Sequence, residues 1–123
     1  MESENYKIQN KLSERLLNFA VQIIKAGEKI GRNYVGRQIF GQLVDSSTSA
    51  GANCEEACGA ESRSDFVHKL QIVLKELRES LYWLRLIEKV GLLPTQKVGE
   101  LTQEGNELAN IIAKSILTAK KDR

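Results

Sequence analysis

The stretch that decides the fold is residues 42–56, QLVDSSTSAGANCEE. Its Ser, Thr, Gly and Asn content is typical of a loop. Its spacing instead predicts a helix, because small and apolar residues recur at steps of three and four, the repeat of one helix face. These residues are Phe40, Leu43, Ser47, Ala50, Cys54 and Ala57. A face built from such small side chains lets a neighbouring helix approach closely, so we expect this segment to lie in the middle of a helical bundle.

Three further helices follow from apolar residues at helical spacing on either side of this segment. We predict helices at about residues 5–30, 37–59, 63–91 and 95–120, within a single domain that spans residues 1–123. Ser62, with Asp65 three residues later, is an acidic variant of the capping box and marks the start of the third helix. Gly91 and Pro94 mark its end. Short connections between four long helices predict an all-α, antiparallel, up-down four-helix bundle.

Composition and charge narrow the class of protein. The chain has 123 residues and a formal net charge of +2, which is mild for a protein that binds nucleic acid as a monomer. No run of about eighteen apolar residues is present to span a membrane, and the polar start MESENYKIQN lacks the apolar stretch of a signal peptide. We therefore expect a cytoplasmic protein without membrane contact.

Motifs for catalysis, cofactors and metals are not found. The sequence has no Gly-rich phosphate loop and no nucleophile–base pair. Its only histidine, His68, does not follow a glutamate at the spacing of carboxylate-bridged metal sites in bundles. Cys54 and Cys58 lie four residues apart, which is not a standard zinc spacing, and they are most simply reduced, small apolar residues. We expect no enzyme activity, no cofactor and no metal.

Two sets of residues suggest structural roles. Asn53 and Glu56 share a face of the second helix, and Glu76 and Glu79 share a face of the third. We expect these four to form a partly buried polar network, in which Glu56 or Glu79 accepts hydrogen bonds from Asn53, Lys75 or Arg78.

Tyr82 and Trp83 are adjacent on the third helix. Adjacent residues point about 100° apart on a helix, so one of the two can pack inside while the other reaches the flank. Core or subunit-interface packing of this pair is favoured over base stacking.

Basic residues form short ridges at helical spacing. One ridge lies at the end of the first helix, a second lies along the third helix, and a basic segment ends the chain. An ordinary solvated surface is the simplest interpretation of each. The candidate phosphate-binding residues are Lys25, Lys29, Arg32, Lys75, Arg78, Arg85, Lys89, Lys120 and Lys121.

Three motifs in a fixed order resemble one family. They are SxSxGANxxEA over residues 47–57, SxxDF over 62–66 and KExxExxYWL over 75–84. In this order the chain resembles the small four-helix bundle proteins encoded within intervening sequences of bacterial 23S ribosomal RNA genes. The resemblance covers about residues 12–120.

The resemblance implies an antiparallel four-helix bundle that assembles as a ring-shaped homopentamer. A related protein, the accessory variability determinant of diversity-generating retroelements, binds nucleic acid and a reverse transcriptase, which implies a similar accessory role here. Proteins of this type often carry basic or aromatic residues where this chain has Asp45, Cys54 and Glu55. The difference implies weaker nucleic-acid contact from the second helix.

Two functions from different classes follow. The first is a non-enzymatic, pentameric accessory protein that binds RNA or DNA through backbone phosphates, because no base-reading module is present. The second is a homo-oligomeric scaffold that recruits another protein, such as a reverse transcriptase, without touching nucleic acid. An exposed acidic rim around Cys54, Glu55 and Glu56 favours the second.

Overall fold

Four long α-helices build the molecule. The structure is a computed structural model that describes the backbone of residues 2–121 and the side chains of residues 11–121. Those residues contain no β-strand, and their helices are α1 (Glu2–Ala26), α2 (Tyr34–Cys58), α3 (Arg63–Val90) and α4 (Thr95–Lys121). The helical interpretation of residues 42–56 is confirmed, since the whole stretch lies inside α2.

Contacts across the bundle show that neighbouring helices are antiparallel. Ser46 of α2 meets Ser80 of α3 through their hydroxyls at 2.7 Å. Ten residues further along α2, the Glu56 carboxylate meets Lys69, which is eleven residues back along α3, at 2.7 Å. Arg15 of α1 binds Glu104 of α4 through two hydrogen bonds of 2.6 and 3.2 Å. Helices α1 and α4 are therefore in contact, and the four-helix bundle is closed.

The first connection differs from the prediction at both of its ends. Helix α1 gives way at Gly27 to a 3₁₀ turn, Gly27–Ile30, instead of continuing to about residue 30. The ring of Phe40 lies so close to Gly27 that a Cβ there would overlap it. Helix α2 begins at Tyr34, three residues before the predicted start. The side chain of Asn33 accepts a hydrogen bond from the Gly36 amide at 2.7 Å and so caps the helix.

The ends of α3 follow the predicted signals. The Ser62 hydroxyl accepts the Asp65 amide at 3.0 Å and caps the start. Gly91 has a φ of +82°, a left-handed conformation that favours glycine, and the amides of Gly91 and Leu92 both donate to the Ile87 carbonyl. Helix α4 begins directly after Pro94. These signals fix where α3 begins and ends, and therefore the position along the bundle at which the connection to α4 lies.

The core contains the small-residue face of α2. Leu43, Ser47, Ala50, Cys54 and Ala57 are buried there, and Phe40 is half-buried against the same core. The sequence prediction of this face is confirmed. No helix within residues 2–121 is both long enough and apolar enough to cross a membrane.

Candidate nucleic-acid interface

One end of the bundle carries most of its excess positive charge. This end, here called the basic end, consists of residues 25–40 and 84–94. A Cβ on Gly36 would meet Ile30 at 2.9 Å and Leu92 at 3.0 Å, so the two segments lie side by side. They contain six basic residues and two acidic residues, Glu28 and Glu88, for a net charge of +4. The basic residues are Lys25, Lys29, Arg32, Arg37, Arg85 and Lys89.

The residues outside the basic end have a net negative charge. Since the chain as a whole is +2, the residues outside the basic end sum to −2. Excess positive charge is therefore concentrated at one pole, although the net charge of the whole chain is small. This concentration arises from the antiparallel topology, which brings the end of α1 and the end of α3 together.

All six basic side chains of the basic end are exposed. Within residues 11–121, the ion pairs join Arg15 to Glu104 and Glu107, and Lys69 to Glu56. None of the six is held by a carboxylate among those residues. Their charges are thus available to an external anion.

The predicted phosphate-binding residues divide into three groups by position. Lys25, Lys29, Arg32, Arg85 and Lys89 come together at the basic end. Lys75 and Arg78 are exposed on the middle turns of α3, and Lys120 and Lys121 are exposed at the opposite end of the bundle. A single compact ligand therefore cannot contact all nine residues of one chain.

Sequence reasoning missed two residues of this end, Arg37 and Tyr34. Tyr34 opens α2 and is 72% exposed, and the Gln38 side-chain amide donates to its hydroxyl at 2.8 Å. Arg37 is exposed on the same first turns. The missed signal was Asn33, a good cap residue, whose recognition would have moved the helix start back from Arg37 to Tyr34.

The four residues of the predicted polar network do not join into one network. The Asn53 amide donates to the carbonyl of Ser49 at 2.9 Å, within its own helix. Glu56 is exposed and pairs with Lys69, because the antiparallel register sets the end of α2 against the start of α3. Glu76 and Glu79 lie further along α3, two or three turns from Lys69. Glu79 instead accepts the Trp83 indole N–H at 3.1 Å.

A buried polar contact between α2 and α3 is formed by serines instead. The hydroxyls of Ser46 and Ser80 lie 2.7 Å apart. The Ser80 hydroxyl also donates to the Glu76 carbonyl at 3.0 Å. The Ser46 hydroxyl likewise lies 3.2 Å from the Leu43 carbonyl, so either hydroxyl can donate in the contact between the two helices.

Tyr82 and Trp83 have the different environments expected of adjacent helical residues. Tyr82 is 57% exposed, whereas Trp83 is half-buried against the core. Their rings meet edge to face, with centroids 5.0 Å apart and planes at 76°. The Trp83 indole N–H is bonded to Glu79, and the exposed ring of Tyr82 lies beside it.

Tyr82 belongs to an apolar strip along the outer seam between α2 and α3. On α3, Tyr82, Leu86 and Val90 follow one another at steps of four. The register set by Ser46 and Ser80 places Val35 of α2 level with Val90. Val35 and Val90 are both more than half exposed. We call Val35, Tyr82, Leu86 and Val90 the seam strip.

The region around the two cysteines is acidic and partly exposed. Cys54 is buried, and burial raises its pKa to about 12. Burial also raises the pKa of the half-buried Cys58 thiol. Asp45, Glu55 and Glu56 are exposed on the same helix, where Glu55 accepts the Ser13 hydroxyl at 2.6 Å. The exposed acidic side chains predicted there, Glu55 and Glu56, are therefore present, with Glu56 paired to Lys69.

Metal ligands and grooves are two further kinds of site to consider in the described part of the chain. Among residues 2–121, no group of three or more His, Cys, Asp and Glu side chains is arranged to hold a metal ion. An open groove of about 240 Å³ lies between α1 and α4, and Gln22, Lys97, Glu100 and Glu104 are among the residues that line it. The Lys97 ammonium donates to the Gln22 side chain there at 3.5 Å.

Comparison with known proteins identifies relatives of the whole fold. The family model described as 23S rRNA-intervening sequence protein matches residues 9–114. A crystal structure from Bacteroides thetaiotaomicron, described as a protein of unknown function from the S23 ribosomal protein family, is 30% identical with a TM-score of 0.81. The alignment covers 88% of this chain and 96% of that one. No curated protein matches the sequence.

Proposed function

The chain belongs to the 23S rRNA-intervening sequence protein family, and from this premise we propose that it is a non-enzymatic cytoplasmic accessory protein that binds nucleic acid. Binding is through backbone phosphates, at the basic end of the bundle. The observation that carries the proposal is the concentration of six exposed basic side chains, with a net charge of +4, at one pole of the molecule. Phosphate contacts of this kind are largely indifferent to base sequence.

The proposal includes assembly as a homopentamer. Five copies around one axis repeat the basic end five times, so contacts that are weak in one copy add through avidity. The seam strip supports self-association, because exposed apolar side chains at helical spacing are typical of interaction surfaces. Tyr82 lies at one end of the strip and packs edge to face on the half-buried Trp83, as an anchor residue of an interface would.

The test measures how binding depends on salt. We would titrate labelled RNA and DNA duplexes with the protein at several salt concentrations and follow fluorescence anisotropy. The variant Arg32→Gln/Arg37→Gln/Lys89→Gln removes three charges from the basic end. If each side chain contacts one phosphate, the slope of log affinity against log salt becomes shallower by about 2 to 3.

A matched variant controls for net charge. Lys11→Gln/Lys114→Gln/Lys120→Gln removes three exposed charges from the opposite half of the bundle. We expect its slope to stay close to that of the unmodified protein. Equal losses of affinity in both variants would mean that charge acts without a defined site. No binding of duplex or single-stranded RNA or DNA at about 50 mM salt would rule out direct nucleic-acid contact.

A second candidate function is a homo-oligomeric scaffold for another protein, such as a reverse transcriptase. The exposed acidic side chains Asp45, Glu55 and Glu56 favour it, because they suit a basic protein better than a phosphate backbone. The salt titration separates the two functions. A scaffold without nucleic-acid contact gives no anisotropy change with duplex or single-stranded probes. In that case Glu55→Gln/Glu56→Gln should weaken capture of the basic protein partner.

A further inference from the structure

The basic end carries an aromatic side chain that phosphate binding alone does not use. Tyr34 is 72% exposed, the largest exposed fraction among the large apolar and aromatic side chains of residues 11–121. It opens α2, two residues after Arg32 and three before Arg37. A planar ring therefore lies close in sequence to two arginines of the basic end.

The ring is also held in place. The Gln38 side-chain amide, one helical turn further along α2, donates to the Tyr34 hydroxyl at 2.8 Å. Below it, the start of α2 is fixed by the Asn33 cap and by the contact of Gly36 with Ile30 and Leu92. Less conformational freedom is then lost when a ligand covers the ring, which favours binding.

We propose that Tyr34 stacks on an unpaired base, and that the basic end therefore binds single-stranded nucleic acid in preference to duplex. This inference rests on the proposed function and assigns its ligand class. A nucleotide in a single strand offers an accessible aromatic face next to a phosphate, which matches a ring flanked by two arginines. In a duplex the bases are already stacked on each other and offer no such face.

The shape of the basic end also favours single strands over duplex. It is formed by helix ends and two connections, with no long helix projecting outwards. Duplex-reading modules instead place a helix or a β-ribbon in the major groove. The ring face of tyrosine does not distinguish RNA from DNA, so both kinds of single strand are expected to bind.

The experiment compares a 20-nucleotide single strand with a 20-base-pair duplex of the same sequence, each as RNA and as DNA and each labelled with fluorescein. Tyr34→Ala should weaken single-strand binding about 5- to 150-fold, the range for loss of one stacked base. Duplex affinity should change less than about twofold, because no phosphate contact is removed. For the same reason the salt slope should stay unchanged.

Two further variants separate stacking from apolar contact and from hydrogen bonding. Tyr34→Leu keeps an apolar side chain without a ring and should behave like Tyr34→Ala. Tyr34→Phe keeps the ring and loses only the bond to Gln38, so it should retain most of the affinity. Thermal unfolding of each variant checks that the exposed substitution leaves the bundle folded.

The outcomes distinguish this inference from the proposed function. If the protein binds nucleic acid and the triple variant of the basic end weakens binding, but Tyr34→Ala has no selective effect on the single strand, the stacking inference is wrong and phosphate binding stands. If Tyr34→Leu matches Tyr34→Phe, the contact is apolar and no base stacks there. If neither single strand nor duplex binds, both proposals fall together.

Discussion

Two cysteines lie one helical turn apart on α2, and the structure gives them different environments. Burial raises the pKa of Cys54 from 9.0 to about 12, whereas the Cys58 thiol is only half-buried. In the unfolded chain both thiols ionise near 9.0. Between pH 9 and 12 the folded state therefore keeps a proton on Cys54 that the unfolded chain has lost.

This difference predicts a pH dependence that is specific to Cys54. The contribution of its protonation to stability is complete below about pH 9 and is lost as the pH rises toward 12, by up to a few kcal/mol. Urea unfolding at pH 8, 9.5 and 10.5 under reducing conditions measures it. Cys54→Ala should lose less stability over this range than the unmodified protein. Parallel curves for the two proteins would contradict the assignment.

At the residue scale, burial was predicted better than polar pairing. The period of α2 placed Ser47, Ala50 and Cys54 in the core correctly, since burial depends on which face a residue occupies. The partner of Glu56 was not predicted, because it depends on the register between two helices. That register is set by core packing along the whole seam, and the spacing within one helix carries no information about it.

At the scale of elements, the break between α1 and the 3₁₀ turn is a packing feature. Gly27 leaves room for the Phe40 ring from the first turns of α2, and a Cβ there would overlap the ring. The end of α1, and with it the place of Lys25 and Lys29, therefore depends on contact with α2. The sequence signalled a weak point through Gly27 and Gly31 but not the residue at which the helix ends.

We predict opposite effects for two glycine substitutions. Gly27→Ala should destabilise the bundle by about 1–3 kcal/mol, because Phe40 must leave its site. Gly41→Ala, inside α2, meets nothing within 4 Å and should stabilise by about 0.5–1 kcal/mol. Urea midpoints measure both. In Gly27→Ala/Phe40→Ala the two costs should be less than additive, and full additivity would show that the ring is not the cause.

At the scale of the whole molecule, the sequence was enough to predict the helical bundle but not the distribution of charge over its surface. Four apolar stripes and short connections were enough to predict the bundle, because each helix must bury its stripe against another. The basic end was not identified as one surface, since its residues come from segments about fifty positions apart. Only the topology shows that Arg37 and Lys89 lie at the same pole while Lys120 and Lys121 lie at the other.

Assembly gives the last prediction. We expect light scattering to report a mass five times the 13.8 kDa of the chain. Tyr82→Glu places a charge in the seam strip and should dissociate the assembly, because burying an unpaired carboxylate is costly. Gln103→Glu adds the same charge at an exposed position of α4 and should leave the mass unchanged.

The same pair of variants connects assembly to binding. If five basic ends act together, the dissociated Tyr82→Glu protein should lose affinity for long single strands and show a shallower salt slope, although its own basic end is intact. Gln103→Glu should bind as the unmodified protein does. A Tyr82→Glu variant that stays pentameric would show that the seam strip is not the interface. One that dissociates and binds with unchanged affinity would show that each copy binds alone.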